Sequence, residues 1–166
     1  MRRDELDRFR ELHRAASTGQ LAPSESANYA DAVTRLFENL TAAQNGSPAP
    51  RHVPRRAARC RRAFPVEVAW GRQDFRGVTQ DIGIGGFAML LGTSPPRNTA
   101  VLVRLLLTRD EQMVLFARAV GARDRFGATR VSFAFEELTD AERARLERCL
   151  VDDALREMAL SPARGR

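Results

Sequence analysis

The sequence predicts an α+β, mainly β fold: a six-stranded antiparallel β-barrel with a C-terminal helix, preceded by an N-terminal helical hairpin. Two observations lead to this fold class. In the first and last parts of the chain the apolar residues recur every three or four positions, which is helical spacing, whereas from Phe64 they alternate with polar residues. Turns rich in glycine, proline and charged residues divide the alternating region into six short runs with connections of hairpin length, a pattern typical of a small antiparallel barrel.

The helical hairpin is predicted at residues 1–44. Its first helix carries Leu6, Phe9 and Leu12 at helical spacing, and the second begins near Pro23. The apolar stripe of the second helix consists of Tyr29, Val33, Leu36, Phe37 and Leu40. Because two helices alone cannot bury such a stripe, we expect it to pack on the main domain or on a second copy of the chain. A homodimer through the N-terminal helices is therefore one of the partnerships considered.

Residues 45–54 are predicted to form a linker, because three prolines stiffen a stretch that also contains Asn, Gly and Ser. The barrel domain with its closing helix follows at 55–160, and 161–166 form a tail. The six strands are predicted at 64–70, 74–82, 86–91, 99–107, 113–121 and 128–135. Thr139 followed by Glu142 forms a capping box, which marks the start of the closing helix.

Composition excludes several classes of protein. No apolar run approaches the roughly 20 residues that cross a bilayer, and the N-terminus lacks the apolar core of a signal peptide, so we expect a cytoplasmic protein. Cys60 and Cys149 are isolated, which favours neither a disulfide framework nor a zinc site. No catalytic triad, paired carboxylates, P-loop or dinucleotide fingerprint is present, so we expect neither an enzyme nor a cofactor.

Two segments carry the chemistry. The net charge is +6, every basic residue is arginine, and residues 51–62 contain no acidic residue. The arginines of this segment are Arg51, Arg55, Arg56, Arg59, Arg61 and Arg62. Guanidinium groups pair bidentately with phosphate. The second segment, residues 81–86, places the carboxylate of Asp81 and three glycines where two strands meet, and glycines let a ligand approach the backbone. Together the two segments predict a binding site for a compact, phosphate-bearing, guanine-like ligand.

These features resemble a PilZ domain. The RxxxR pattern from Arg55 to Arg59 leads into the barrel, and the segment from Asp81 to Gly86 is similar to the family's D-x-S-x-x-G turn. Two further stretches support the resemblance, Cys-Arg-Arg-Ala-Phe-Pro-Val-Glu-Val after Arg59 and Arg-Val-Ser-Phe-Ala-Phe at 130–135, which is similar to the last strand before the closing helix. The resemblance covers roughly residues 50 to 155, with its motifs in order and at the expected separations.

The resemblance implies a receptor for the bacterial second messenger cyclic di-GMP. Carried over by position, Arg55 and Arg59 would grip the phosphates and contact the guanines, and Arg56 would add a phosphate or stacking contact. Asp81 would accept hydrogen bonds from a guanine edge, and Gly86 would supply a tight backbone. Binding would then order the basic segment and change the surface that an unidentified protein partner reads.

One position departs from the family pattern, and two alternative functions stay open. Gly83 stands where the family usually has Ser, and a lost hydroxyl contact costs about 0.5–1.5 kcal/mol. This difference is the main argument for a degenerate PilZ adaptor that does not bind nucleotide and acts through constitutive protein contacts. The other alternative is a nucleic-acid-binding barrel. It is disfavoured because the basic residues do not follow a groove and aromatic residues are scarce.

Overall fold

The computed structural model describes residues 3–46, 57–125 and 127–160, which fall into two compact units. One unit comprises the described residues up to Ala58 together with those from Leu150 onward, and the other comprises Arg59–Cys149. The helices are α1 (Arg3–Ser17), α2 (Pro23–Asn45) and α3 (Asp140–Leu160). The strands are β1 (Pro65–Trp70), β2 (Gln73–Gly83), β3 (Gly86–Leu91), β4 (Ala100–Leu106), β5 (Gln112–Arg125) and β6 (Ala128–Phe135).

The six strands form a closed antiparallel barrel in the order β1-β2-β3-β6-β5-β4, which confirms the predicted fold class. The alternation of apolar and polar residues along the strands explains why the sheet closes around a core. In β4 and in the first part of β5 every second side chain is buried and its neighbours face outward. At the centre of the core Phe87 of β3 stacks on Phe133 of β6, with 5.0 Å between the ring centroids. The other large buried side chains inside the barrel include Val68, Ile82, Met89, Val103, Leu105 and Val131.

A β-bulge at Gln80 interrupts the pairing of β2 with β3. Thr79 lies opposite Met89, but the next paired residue of β2 is Asp81, opposite Ala88. Thr79 and Met89 point into the barrel, whereas Ala88, which is also fully buried, belongs to the alternate set of β3 residues that points to the outer side. The extra residue therefore turns Asp81 to the outer wall of the barrel, where a regular strand would have pointed it inward.

The helical unit has a small core of its own. Phe9 of α1, Val33 and Leu36 of α2, and Val151 and Ala154 of α3 are all buried in one cluster. Partly buried residues extend the cluster, namely Tyr29, Ala32, Phe37, Leu40, Leu155 and Met158. The apolar stripe that the sequence assigns to the second helix is thus covered by the C-terminal half of α3 within the same chain.

The capping box at the start of α3 is confirmed. The backbone N–H of Thr139 donates to Glu142 Oε2 at 2.8 Å, and the backbone N–H of Glu142 donates to Thr139 Oγ1 at 3.2 Å. Because its carboxylate accepts this backbone hydrogen bond and a second one from the Thr139 hydroxyl, the pKa of Glu142 lies below its usual value of 4.5. Among the described residues, no helix is long and apolar enough to cross a membrane.

Candidate functional site

The segment that precedes β1 is paired with β2 through backbone hydrogen bonds. Cys60 and Ile82 exchange two hydrogen bonds, with N–O distances of 2.7 and 2.9 Å. A second connection is made by Thr79, three residues before Ile82 in β2. Its buried hydroxyl accepts a hydrogen bond from the N–H of Phe64 at 3.0 Å and donates to the carbonyl of Arg62 at 2.6 Å. These bonds hold residues 60–64 in a fixed register with β2. As a result, Arg59 lies beside Asp81.

Asp81 is the centre of a three-residue charge cluster. Arg59 Nη1 donates to Asp81 Oδ1 at 2.5 Å, and Arg130 Nη2, from β6, donates to Asp81 Oδ2. Arg130 Nη1 also donates to Ser132 Oγ at 3.3 Å. The Asp81 side chain is 17% exposed, Arg59 33% and Arg130 25%, so the cluster is partly shielded but open to a ligand. The cluster thus joins two guanidinium groups to one carboxylate.

Two rows of small residues lie on the outer wall beside this cluster. Register places Asp81 opposite Ala88, Ala88 opposite Ser132, and Ser132 opposite Gly121. The neighbouring row runs from Gly83 through Gly86 to Ala134. The second row continues to Arg118 of β5, opposite Ala134. Gly83, Gly86 and Ala88 are buried, so a flat ring system can approach the sheet at Ser132, Ala134 and Gly121, with the charged groups at its edge.

Gly86 has a conformation and an environment that exclude any other residue. Its φ is +148°, and a Cβ built on it would overlap the carbonyl oxygen of Phe133 in β6 and reach 3.0 Å from the Cα of Ala134. Its neighbour Gly85 has no heavy atom within 4 Å of such a Cβ and accepts a hydrogen bond from the N–H of Phe135 at 3.1 Å. The close approach of β3 to β6 is therefore the structural reason for glycine at position 86.

The structure brings four of the six sequence-predicted site residues together: Arg59, Asp81, Gly83 and Gly86. The other two, Arg55 and Arg56, lie outside the described residues. Sequence reasoning missed Arg130 as a member of the cluster. It opens the stretch at 130–135, which the sequence pattern indicates only as the last strand, and lies 49 positions from Asp81; only the order β2-β3-β6 makes the two residues neighbours.

The comparisons with known proteins agree with this architecture of a six-stranded barrel with a closing helix. The family model of the PilZ domain matches residues 54–152, which is more than half of the chain. The chain therefore belongs to the PilZ domain family, a family of cyclic di-GMP receptors. No curated protein matches the sequence.

Solved structures show the same fold at low sequence identity. The PilZ domain of YcgR from Escherichia coli with c-di-GMP has a TM-score of 0.56 and 18% identity, over 66% of this chain and 100% of that domain. The K. pneumonia MrkH–c-di-GMP complex has a TM-score of 0.57 and 18% identity, over 66% of this chain and 57% of MrkH. Bacillus subtilis MotI, an inhibitor of motility, has a TM-score of 0.55 and 15% identity, over 69% of this chain and 57% of MotI. The chain thus spans little more than half the length of MotI and MrkH.

Proposed function

We propose that this protein is a cytoplasmic, non-enzymatic receptor for cyclic di-GMP and signals to a protein partner. The observation that carries the proposal is the cluster of Arg59 and Asp81 at the edge of a wall of small side chains. It combines cations for phosphate with a carboxylate that accepts hydrogen bonds from a base, and it lies at the two motifs of the PilZ family. Binding of c-di-GMP by YcgR and MrkH supports the choice of ligand.

The chemistry of each side chain suggests which part of the nucleotide it binds. Arg59, together with Arg55 and Arg56, binds the phosphates, because planar guanidiniums pair with phosphate oxygens in bidentate fashion. Asp81 accepts hydrogen bonds from the N1–H and the amino group of a guanine. Gly83 and Gly86 have no side chains, which allows the ring to approach the backbone.

The proposed signal is a change in the chain that enters the barrel. Arg59 is next to Cys60, whose backbone pairing with Ile82 joins this chain to β2. Arg59 and Asp81 are already bonded to each other across the same junction, and a nucleotide that contacts both adds to this bond or replaces it. We expect this change to alter the surface around residues 57–62, and a protein partner to read the altered surface.

Isothermal titration of cyclic di-GMP into wild-type protein and into Arg59→Ala and Asp81→Asn variants tests the proposal. We expect micromolar or tighter binding by wild type and a loss of about 100-fold or more in each variant, because each removes a charged contact. Arg104→Ala is the matched control. Arg104 is 49% exposed and ion-paired with Glu67 at 2.9 Å, but it lies on β4, away from the cluster. Absence of heat and of competition at high nucleotide concentration would contradict the proposal.

A second candidate function is an adaptor that does not bind nucleotide. Both oxygens of Asp81 already accept hydrogen bonds from arginines, and Gly83 provides no hydroxyl. If wild type fails to bind in the same titration, this candidate is favoured, and partner capture should then be identical with and without cyclic di-GMP.

A further inference from the structure

Arg130 lies outside both motifs of the family, yet it holds one oxygen of the carboxylate on which the proposed receptor function rests. We infer that Arg130, together with Asp81, determines the preference of the site for guanine over adenine. The inference depends on the proposed function, because it concerns the base of the same nucleotide.

The geometry gives Asp81 a guanidinium on each side. Arg59 is bonded to Oδ1 and Arg130 to Oδ2. An ionised carboxylate has about four acceptor positions, so two positions stay available after these bonds are made. A base that donates to either oxygen of Asp81 therefore has an arginine next to it. Next to Oδ2 this arginine is Arg130.

Two acceptor positions next to a donor are complementary to guanine when the orientation of the base is fixed, here by the phosphates that the basic segment is proposed to bind. Guanine presents its N1–H and amino donors beside the O6 acceptor, so the donors face Asp81 while O6 faces Arg130. Adenine has an amino donor in place of O6 and an unprotonated N1. In the orientation that the bound phosphates impose, both of its groups are mismatched: the amino group meets the donors of Arg130, and N1 meets the carboxylate. Desolvated polar groups without partners are a strong source of rejection.

Arg130 is better placed than Arg59 to read a base. It lies within β6, and its guanidinium is held by both Asp81 and Ser132, so its plane is fixed before a ligand arrives. These two bonds use two of the five N–H groups of the guanidinium, and the side chain is 25% exposed. Arg59 instead precedes the barrel, in the basic segment proposed to bind phosphate.

The test is a titration of cyclic di-GMP and cyclic di-AMP into wild type, Arg130→Ala and Arg123→Ala. We expect wild type to prefer cyclic di-GMP by about 100-fold or more. Arg130→Ala should weaken cyclic di-GMP by about tenfold or more and reduce the preference by a similar factor. Arg123→Ala is the control for charge, because Arg123 is exposed on β5 directly opposite Arg130 in the register. It should change each affinity by less than about threefold.

Each outcome separates the inference from the function on which it rests. If wild type binds cyclic di-GMP but Arg130→Ala keeps the wild-type preference, or binds cyclic di-GMP equally or more tightly, the inference is overturned and the receptor function stands. An equal effect in Arg123→Ala also overturns it, since charge alone would then be responsible. If wild type does not bind cyclic di-GMP, both proposals fail. Arg130→Met, which retains side-chain length on the wall, decides the same question if Arg130→Ala does not fold.

Discussion

Cys60 and Ile82 are joined by two reciprocal backbone hydrogen bonds, of 2.7 and 2.9 Å, although Cys60 lies outside the six strands of the barrel and Ile82 belongs to β2. Each residue directly follows a member of the charge cluster in the chain, Cys60 after Arg59 and Ile82 after Asp81. The pairing therefore sets the distance between two side chains that come from different parts of the sequence.

Replacing Cys60 with proline removes the N–H that donates to Ile82. We expect Arg59 to lose its position beside Asp81 and cyclic di-GMP affinity to fall by about tenfold or more in calorimetric titration. Cys60→Ala is the control, because it keeps the backbone donor and removes only the buried thiol. Equal affinities in the two variants would show that this backbone pairing does not position Arg59 for binding.

Gly86→Ala should destabilise the barrel by about 2–4 kcal/mol, because its Cβ would overlap the backbone of Phe133. Gly85→Ala, one residue earlier, meets nothing within 4 Å and should stay within about 1 kcal/mol of wild type. Urea unfolding followed by the fluorescence of Trp70, the single tryptophan, measures both. Similar stabilities for the two variants would mean that β3 can move away from β6.

Gly83→Ser restores the hydroxyl that the family usually has at this position. The φ of Gly83 is not positive, so the backbone permits a serine. We expect cyclic di-GMP to bind about two- to tenfold more tightly, the range that corresponds to one hydrogen bond. Titration measures the change, with Gly83→Ala as the control for filling the site without a hydroxyl. A gain of the same size in Gly83→Ala would assign the effect to backbone restriction.

The capping box makes stability depend on pH through Glu142. Its folded-state pKa is lowered, chiefly by the hydrogen bond from the Thr139 backbone, so its contribution is present above the unfolded value near 4.5 and is lost as pH falls through the lowered folded value. Glu142→Gln, which resembles the protonated acid, should therefore be less stable than wild type at neutral pH and equal to it in acid. Denaturant unfolding at both pH values checks this, and a constant difference would contradict it.

His13 connects the three helices. It is 4% exposed, and its Nδ1 and Nε2 lie 2.8 Å from Tyr29 Oη and 3.0 Å from Asp152 Oδ1. His13→Phe keeps an aromatic ring but removes both bonds, and should cost about 1–3 kcal/mol in unfolding free energy, measured by circular dichroism. Tyr29→Phe removes only one of these bonds and should cost less. The reverse order would indicate that the ring packing of His13 contributes more than its hydrogen bonds.

Local patterns in the sequence were sufficient for the elements of the fold. Alternation and short apolar runs identified the six strands, and Thr139 with Glu142 located the start of α3, because these signals depend on residues that are close in the chain. The position of Asp81 on the outer wall was not predictable from alternation, since the bulge at Gln80 reverses the facing of the strand. Arg130 was missed for a related reason: strand order, which depends on long-range pairing, determines its neighbours.

Because Gly86 packs against β6, two residues of the same motif have different reasons for their identity: Gly86 a structural one, and Asp81 a proposed role in ligand binding. In this chain the barrel itself requires a glycine there, independently of nucleotide recognition, because the backbone of Phe133 leaves no room for a side chain. Asp81 stands on the outer wall and is under no such steric demand. The glycine therefore reports an intact barrel, whereas under the proposed function the carboxylate with its two arginines would report nucleotide recognition.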